Sequence, residues 1–125
     1  MLFVFFSLVV GAAQALCVKS SRVPLRSGPG TKFKTTWKVG RYMPLKKIGE
    51  KGSWYRVQDM DREIHWIAKH NVTDEYPCVV VKTKTARLRT GPSYKHPLAE
   101  FQSVDQYTPF KKLGRDGPWI YLEDE

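Results

Sequence analysis

The sequence predicts an all-β protein: two small tandem barrels of about five short strands each, the second ending before its closing strands, behind a removable N-terminal segment. Three observations carry that expectation. The chain repeats itself at an offset of 63 to 65 residues. Short apolar stretches alternate with turns rich in Gly, Pro and Asp, and helical periodicity is absent. The opening fifteen residues differ in kind from everything after them.

Leu2 to Val10 is apolar throughout except for Ser7, and Ala13-Gln14-Ala15 has the small-x-small form after which a signal peptidase cuts. Residues 1–15 are therefore expected to be a signal peptide, helical where ordered and too short to span a bilayer. No Lys or Arg precedes the apolar run, and Leu16 is too large for lipoprotein processing at Cys17. Export shapes the reading of the charge. With 21 Lys and Arg against 12 Asp and Glu, the net charge of +9 asks for an anionic partner. Outside the cytoplasm that partner is not nucleic acid. No later apolar run is long enough to span a membrane once the leader is gone.

The repeat divides the rest into units of residues 16–74 and 75–125. Leu25-Arg26-Ser27-Gly28-Pro29 matches Leu88-Arg89-Thr90-Gly91-Pro92 at an offset of 63. The eleven residues from Pro44 to Trp54 match Pro109 to Trp119 at an offset of 65, with six identities. Val39 and Tyr42 pair with Val104 and Tyr107 in the same way. In unit one the turns are Ser27-Gly28-Pro29-Gly30, Gly49-Glu50-Lys51-Gly52 and Asp59-Met60-Asp61. Trp54-Tyr55-Arg56-Val57 and Ile64-His65-Trp66-Ile67 flank the last of these with the β-branched and aromatic residues that strands favour. They are expected to pair as a hairpin, and five such strands suit a small barrel, because closure removes exposed edges. Unit two stops just after Trp119-Ile120-Tyr121-Leu122, about 15 residues short of its counterpart. An open edge follows, explained by a truncated coding sequence or by a partner that supplies the strand.

Taken in order, Leu25-Arg26-Ser27-Gly28-Pro29-Gly30-Thr31, Gly52-Ser53-Trp54-Tyr55-Arg56-Val57 and His65-Trp66-Ile67 resemble the signatures of the bacterial SH3 domain. The resemblance covers residues 17–73 in full and 78–122 in part. His65 stands where that family usually has Gly, and Pro24 and Arg87 stand where it often has Asn. The resemblance implies an SH3-like barrel and a non-catalytic role in binding cell-wall peptides or mediating contacts in the envelope.

Cys17 and Cys78 stand near the start of each unit, and in an exported protein they read as a disulfide joining the barrels, with free or intermolecular thiols as the alternatives. No catalytic set is evident. There is no Cys-x-x-Cys motif, and His65, His70 and His96 lack metal-ligand spacing, so neither a metal nor a cofactor is expected. Trp54, Trp66 and Trp119 are assigned to the core by the resemblance. The ligand-facing candidates are Trp37, Tyr42, Tyr55 and Tyr107 with the recurring pairs Lys46, Lys47 and Lys111, Lys112, because a ring offers stacking and a cation holds a carboxylate. One lysine of each pair is expected to face outward. The functional expectation is an exported module of the periplasm or cell surface that binds peptidoglycan or cell-wall peptides. The alternatives are an adaptor for an envelope protein and the targeting arm of a hydrolase whose catalytic part lies elsewhere. The oligomeric state is left open.

Overall fold

The computed structural model describes residues 2–11 and 15–125, without the side chains of residues 100–102. Its strands are β1 (Leu2–Phe5), β2 (Val9–Val10), β3 (Ala15–Val18), β4 (Val23–Arg26), β5 (Thr35–Val39), β6 (Pro44–Lys51) and β7 (Trp54–Gln58). They continue with β8 (Ile64–Ala68), β9 (Val72–Thr73), β10 (Cys78–Val81), β11 (Thr85–Arg89), β12 (Leu98–Asp105), β13 (Pro109–Asp116) and β14 (Trp119–Glu123). Single 3-10 turns at Phe6–Leu8 and Lys69–Asn71 are the helical pieces among the described residues. The protein is all-β, and its curled sheets are consistent with small SH3-like barrels.

The first sheet runs β5-β4-β8-β7-β6-β3-β9, and the second runs β12-β11-β1-β14-β13-β10-β2. Each has seven segments rather than the five expected, because β3 and β9, both short and apolar, pair with each other beside β6. Alternation sets the faces: in β4 Val23 and Leu25 turn inward, and in β11 Ala86 and Leu88 do so. The β6–β7 and β13–β14 hairpins turn at Gly52 and Gly117, whose φ angles of +56° and +57° suit a residue without a Cβ. Both hairpins carry a register shift at matched places, Lys47/Gly49 and Lys112/Gly114. Tyr42 and Tyr107 share a left-handed backbone (φ 74° and 67°), and each donates its N–H over 2.7 Å to a strand carbonyl, Val18 and Val81 respectively.

The N-terminal segment corrects one expectation. Leu2–Val10 is not helical but runs strand, 3-10 turn, strand, and it lies in the closing position of the second sheet. Its partners reproduce those of the β8–β9 segment in unit one, shifted by 63 residues. Phe3 faces Arg89 as Trp66 faces Arg26, and Val9 and Val10 face Val81 and Val80 as Val72 and Thr73 face Val18 and Cys17. The physical reason is the unpaired backbone that β11 and β14 would otherwise present. Val and Phe are strand formers, and an antiparallel strand laid there satisfies both edges while burying Val4. In the second sheet β1 and β2 occupy the places that β8 and β9 hold in the first. The small-x-small motif falls partly on residues 12–14, outside the described residues.

Two cores result. One gathers Leu16, Val18, Leu25, Leu45, Val57 and Ile67. The other gathers Val4, Val81, Leu88, Phe110, Ile120 and Leu122. Val80 belongs to the first cluster although its strand belongs to the second sheet, so β10 packs its outer face against unit one. Where the two sheets meet, Cys17 and Cys78 form a disulfide with Cα atoms 6.0 Å apart, buried beneath Tyr42 and Tyr76. The two cysteines are not equivalent positions: strand register matches Cys78 with Ala15, and Cys17 with Val80. The bridge therefore links the outer faces of β3 and β10 at staggered heights.

Candidate functional site

The eight residues proposed from sequence are spread over several places. On unit one, the Tyr55 ring lies under two ammonium groups, Lys47 Nζ at 4.6 Å and Lys69 Nζ at 5.1 Å from its centroid. Glu50 bridges them, 2.6 Å from Lys69 Nζ and 3.8 Å from Lys47 Nζ. The Lys69 hydrogen bond, with the Lys47 charge, holds the Glu50 carboxyl below the usual carboxylate range. A ligand carboxylate at this face must displace Glu50. Lys46 is exposed beside it, and so is Lys47: the bulge that follows turns both lysines of the pair to solvent rather than one.

Between the sheets, Trp37 and Tyr107 come together with Met43, Met60, Asp59 and Asp61 around a space of only about 10 Å³, too small for a ligand. The Tyr107 hydroxyl donates to Asp61 Oδ1 at 2.5 Å. That hydrogen bond, with the nearby carboxylate charge, raises the Tyr107 pKa above its ordinary value near 10. A raised pKa means the folded protein holds the phenol proton more tightly, so the link contributes below pH 10 and is lost as pH rises through the folded value. Comparing urea midpoints at pH 7 and pH 11, Tyr107→Phe is expected to narrow the alkaline loss seen in the unsubstituted protein. An unchanged difference would show that the link contributes nothing. Tyr42 and Tyr76 meet edge to face at 5.8 Å over the disulfide. Tyr42 is 8% exposed and offers almost no ring to a ligand. Lys111 Nζ sits 4.5 Å from the Tyr76 centroid and 3.9 Å from Glu123, and Lys112 flanks an apolar hollow with Phe6, Val9 and Ile120.

A further place holds none of the eight. In unit two, Phe5, Leu8, Thr85, Ala86, Arg87, Arg89, Tyr94 and Trp119 line an open groove of about 360 Å³. Tyr94, 66% exposed, packs edge-on against Trp119 at 5.2 Å and beside Phe5 at 5.2 Å. The Arg89 guanidinium lies 5.2 Å from the Tyr94 centroid and donates to the His96 carbonyl at 3.0 Å, which fixes its plane. Among the described side chains that line the groove there is no carboxylate. Two cations and a three-ring wall form a place for an anionic group carried on an apolar or ring-bearing stem. The alternation of β11 held the signal: with Ala86 and Leu88 inward, Arg87 and Arg89 must point outward. Trp119, 6% exposed, packs with Phe5 and Tyr94 in the groove wall rather than in either core cluster, whereas Trp54 and Trp66 are half-buried.

One polar constellation is internal. His65 Nε2 meets Asp59 Oδ2 at 2.7 Å, and His65 Nδ1 meets Thr36 Oγ1 at 2.7 Å. Asp59 Oδ1 also accepts the backbone N–H groups of Asp61 and Glu63, both at 2.9 Å. Asp59, Glu63 and His65 place donor atoms within 4.8 Å of one another. Both His65 nitrogens are engaged, however, and Asp59 has three partners, so the arrangement pins the β7–β8 turn to β5. A metal ion would have to break those bonds. Gly28 serves the neighbouring turn in a different way: a Cβ there would stand 2.5 Å from the Phe33 ring.

Residues 19–74 match the family model for the bacterial SH3 domain. Over 54 residues the chain is 43% identical to the probable cell wall amidase LytH of Staphylococcus saprophyticus, a stretch that makes up 43% of this chain and 18% of that protein. The similarity is thus to a domain-sized fraction of the relative and not to its whole length.

Proposed function

We propose, from the match of residues 19–74 to the bacterial SH3 domain, that the chain is an exported, non-catalytic binding module of the bacterial cell envelope that recognises the peptide stems of peptidoglycan. The observation that carries the reading is the groove of Arg87, Arg89, Tyr94 and Trp119, which brings two cations against aromatic rings. Stem peptides carry carboxylates on short apolar residues, so a guanidinium can take the charge while the rings cover the stem. The Lys47–Tyr55–Lys69 face, with Lys46 beside it, is a second and weaker contact, since Glu50 competes for its cations. Two contacts on one polymer strengthen attachment through effective concentration.

A soluble muropeptide titration followed by Trp fluorescence tests the groove. Trp119 is expected to report saturable binding, and Arg87→Ala with Arg89→Ala to weaken it at least tenfold. Lys46→Ala is expected to change it less than twofold. Equal weakening by all three substitutions would reduce the interaction to general charge attraction. The similarity to a cell wall amidase favours one variant of the reading, in which the module positions a hydrolase on the wall. In that variant the chain binds sacculi without releasing fragments from them.

A further inference from the structure

The slot that Leu2–Val10 fills borders the groove, whose wall includes Phe5 and Leu8, but it works by backbone pairing and apolar burial rather than by charge. It lies between β14, which pairs with β1 over Leu2↔Leu122 to Phe5↔Trp119, and β11, which pairs with it at Phe3↔Arg89. Its far end lies beside β10, where Val9 and Val10 pair with Val81 and Val80. The Lys82 N–H donates to the Leu8 carbonyl at 2.9 Å as Lys19 donates to Asn71, and Phe6 N–H donates to Pro118 as Lys69 donates to Ser53.

Two different sequences are therefore seen in one geometry. Leu2–Val10 and Ile64–Thr73 agree in what the slot demands and in little else. An aromatic residue, Phe3 or Trp66, pairs with an arginine, and a β-branched residue, Val4 or Ile67, is wholly buried. A 3-10 turn follows, and a valine, Val9 or Val72, is buried at its end. In unit one the strand is continuous with the rest of its barrel through the β7–β8 turn. In unit two the segment is joined covalently to the rest of the chain through residues 12–14, which lead to β3 of the other sheet and hold most of the small-x-small motif.

We propose that the second barrel carries a strand-acceptor site, the slot between β11 and β14, whose ligand is an extended apolar peptide of this aromatic–β-branched–turn–valine pattern, with Leu2–Gly11 as its tethered occupant. Cutting the tether turns a closed barrel into an open receptor. Backbone hydrogen bonding along both edges supplies the affinity, and the pockets of Val4 and Val9 supply the selectivity. The biological setting of the cut rests on the export reading, but the site itself does not.

The test keeps the full chain and cuts it only after folding. Residues 12–14 are replaced by the recognition sequence of a specific protease, and the purified, oxidised protein is cleaved. The fragment is expected to stay bound through gel filtration. A fluorescent peptide of sequence Leu2–Gly11 with a solubilising lysine tail, in tenfold excess, is expected to replace it in the cut protein and not in the uncut one. The same peptide carrying Val4→Asp is expected to bind at least a hundredfold more weakly. Loss of the fragment with no change in amide exchange of β11 and β14 would overturn the proposal. So would equal labelling of cut and uncut protein, or equal binding of the two peptides. Muropeptide binding by the uncut protein is measured separately, so either reading can fail alone.

Discussion

Replacing both Cys17 and Cys78 with Ala is expected to lower the stability of the protein by about 4 kcal/mol and its melting temperature by more than about 10 °C. The two cysteines are 61 residues apart, and the loop they close contains all of the first sheet except the start of β3. In the chain-entropy account a cross-link of that span removes more disorder from the unfolded chain than a short one would. Small barrels depend on such a staple, because a unit of about 60 residues leaves much of its surface in water. Both sulfur atoms lie under Tyr42 and Tyr76 in an apolar cluster, so Ala is used in place of Ser to avoid burying hydroxyl groups there. Differential scanning calorimetry of the two proteins checks this, and a shift under about 2 °C would show that the sheets hold together without the bridge.

The second large effect is expected at Val4. Its side chain is fully buried in the second core beside Ile120 and Leu122, and Val4→Asp would place a carboxylate there with no cation or donor beside it. The expected cost exceeds about 4 kcal/mol, in the range reserved for unpaired buried charge. Ser7→Asp, on the exposed 3-10 turn two residues beyond β1, is the control and is expected to change stability by less than about 0.5 kcal/mol. Urea unfolding followed by Trp fluorescence separates the two. Similar midpoints for both variants would mean that Leu2–Phe5 contributes nothing to the second barrel.

Much of this architecture could be read in the sequence, because turn chemistry and alternation are local. Gly52 and Gly117 mark hairpins wherever they occur, and the repeat needs only the chain itself to be seen. The family match over residues 19–74 falls where the Leu-Arg-Ser-Gly-Pro turn and the two Trp motifs placed it. The closing strand of unit two was hidden for a physical reason. Aligned at minus 63 residues, Leu2–Val10 shares only Val9 with Val72 of its counterpart. What the two segments have in common is burial and backbone pairing, which the chain order conceals. An apolar run at an N-terminus also satisfies the requirements of an export signal, which depend on hydrophobicity rather than on a partner.

The site was legible in pieces. Lys47 does meet Tyr55, as cation beside ring, but Glu50 and Lys69, which decide the strength of that face, join it only through the β6–β7 turn and the end of β8. Tyr42 was placed on a surface by its aromatic character and is buried by the disulfide, a tertiary fact. Arg89 and Tyr94 sit in the second copy of the glycine turn, where unit one has Arg26 and Thr31, so the repeat itself drew attention away from the difference.

The account stands most directly on whether the folded protein holds to the cell wall by more than its charge. Purified sacculi, incubated with the protein across a salt series and pelleted, provide that measurement. The account predicts pelleting that persists near 0.15 M salt and falls at least tenfold when Arg87 and Arg89 are both replaced by Ala. Surface attraction alone is screened within about 8 Å at that ionic strength. Pelleting that disappears with modest salt, or that is indifferent to the two arginines, would contradict it.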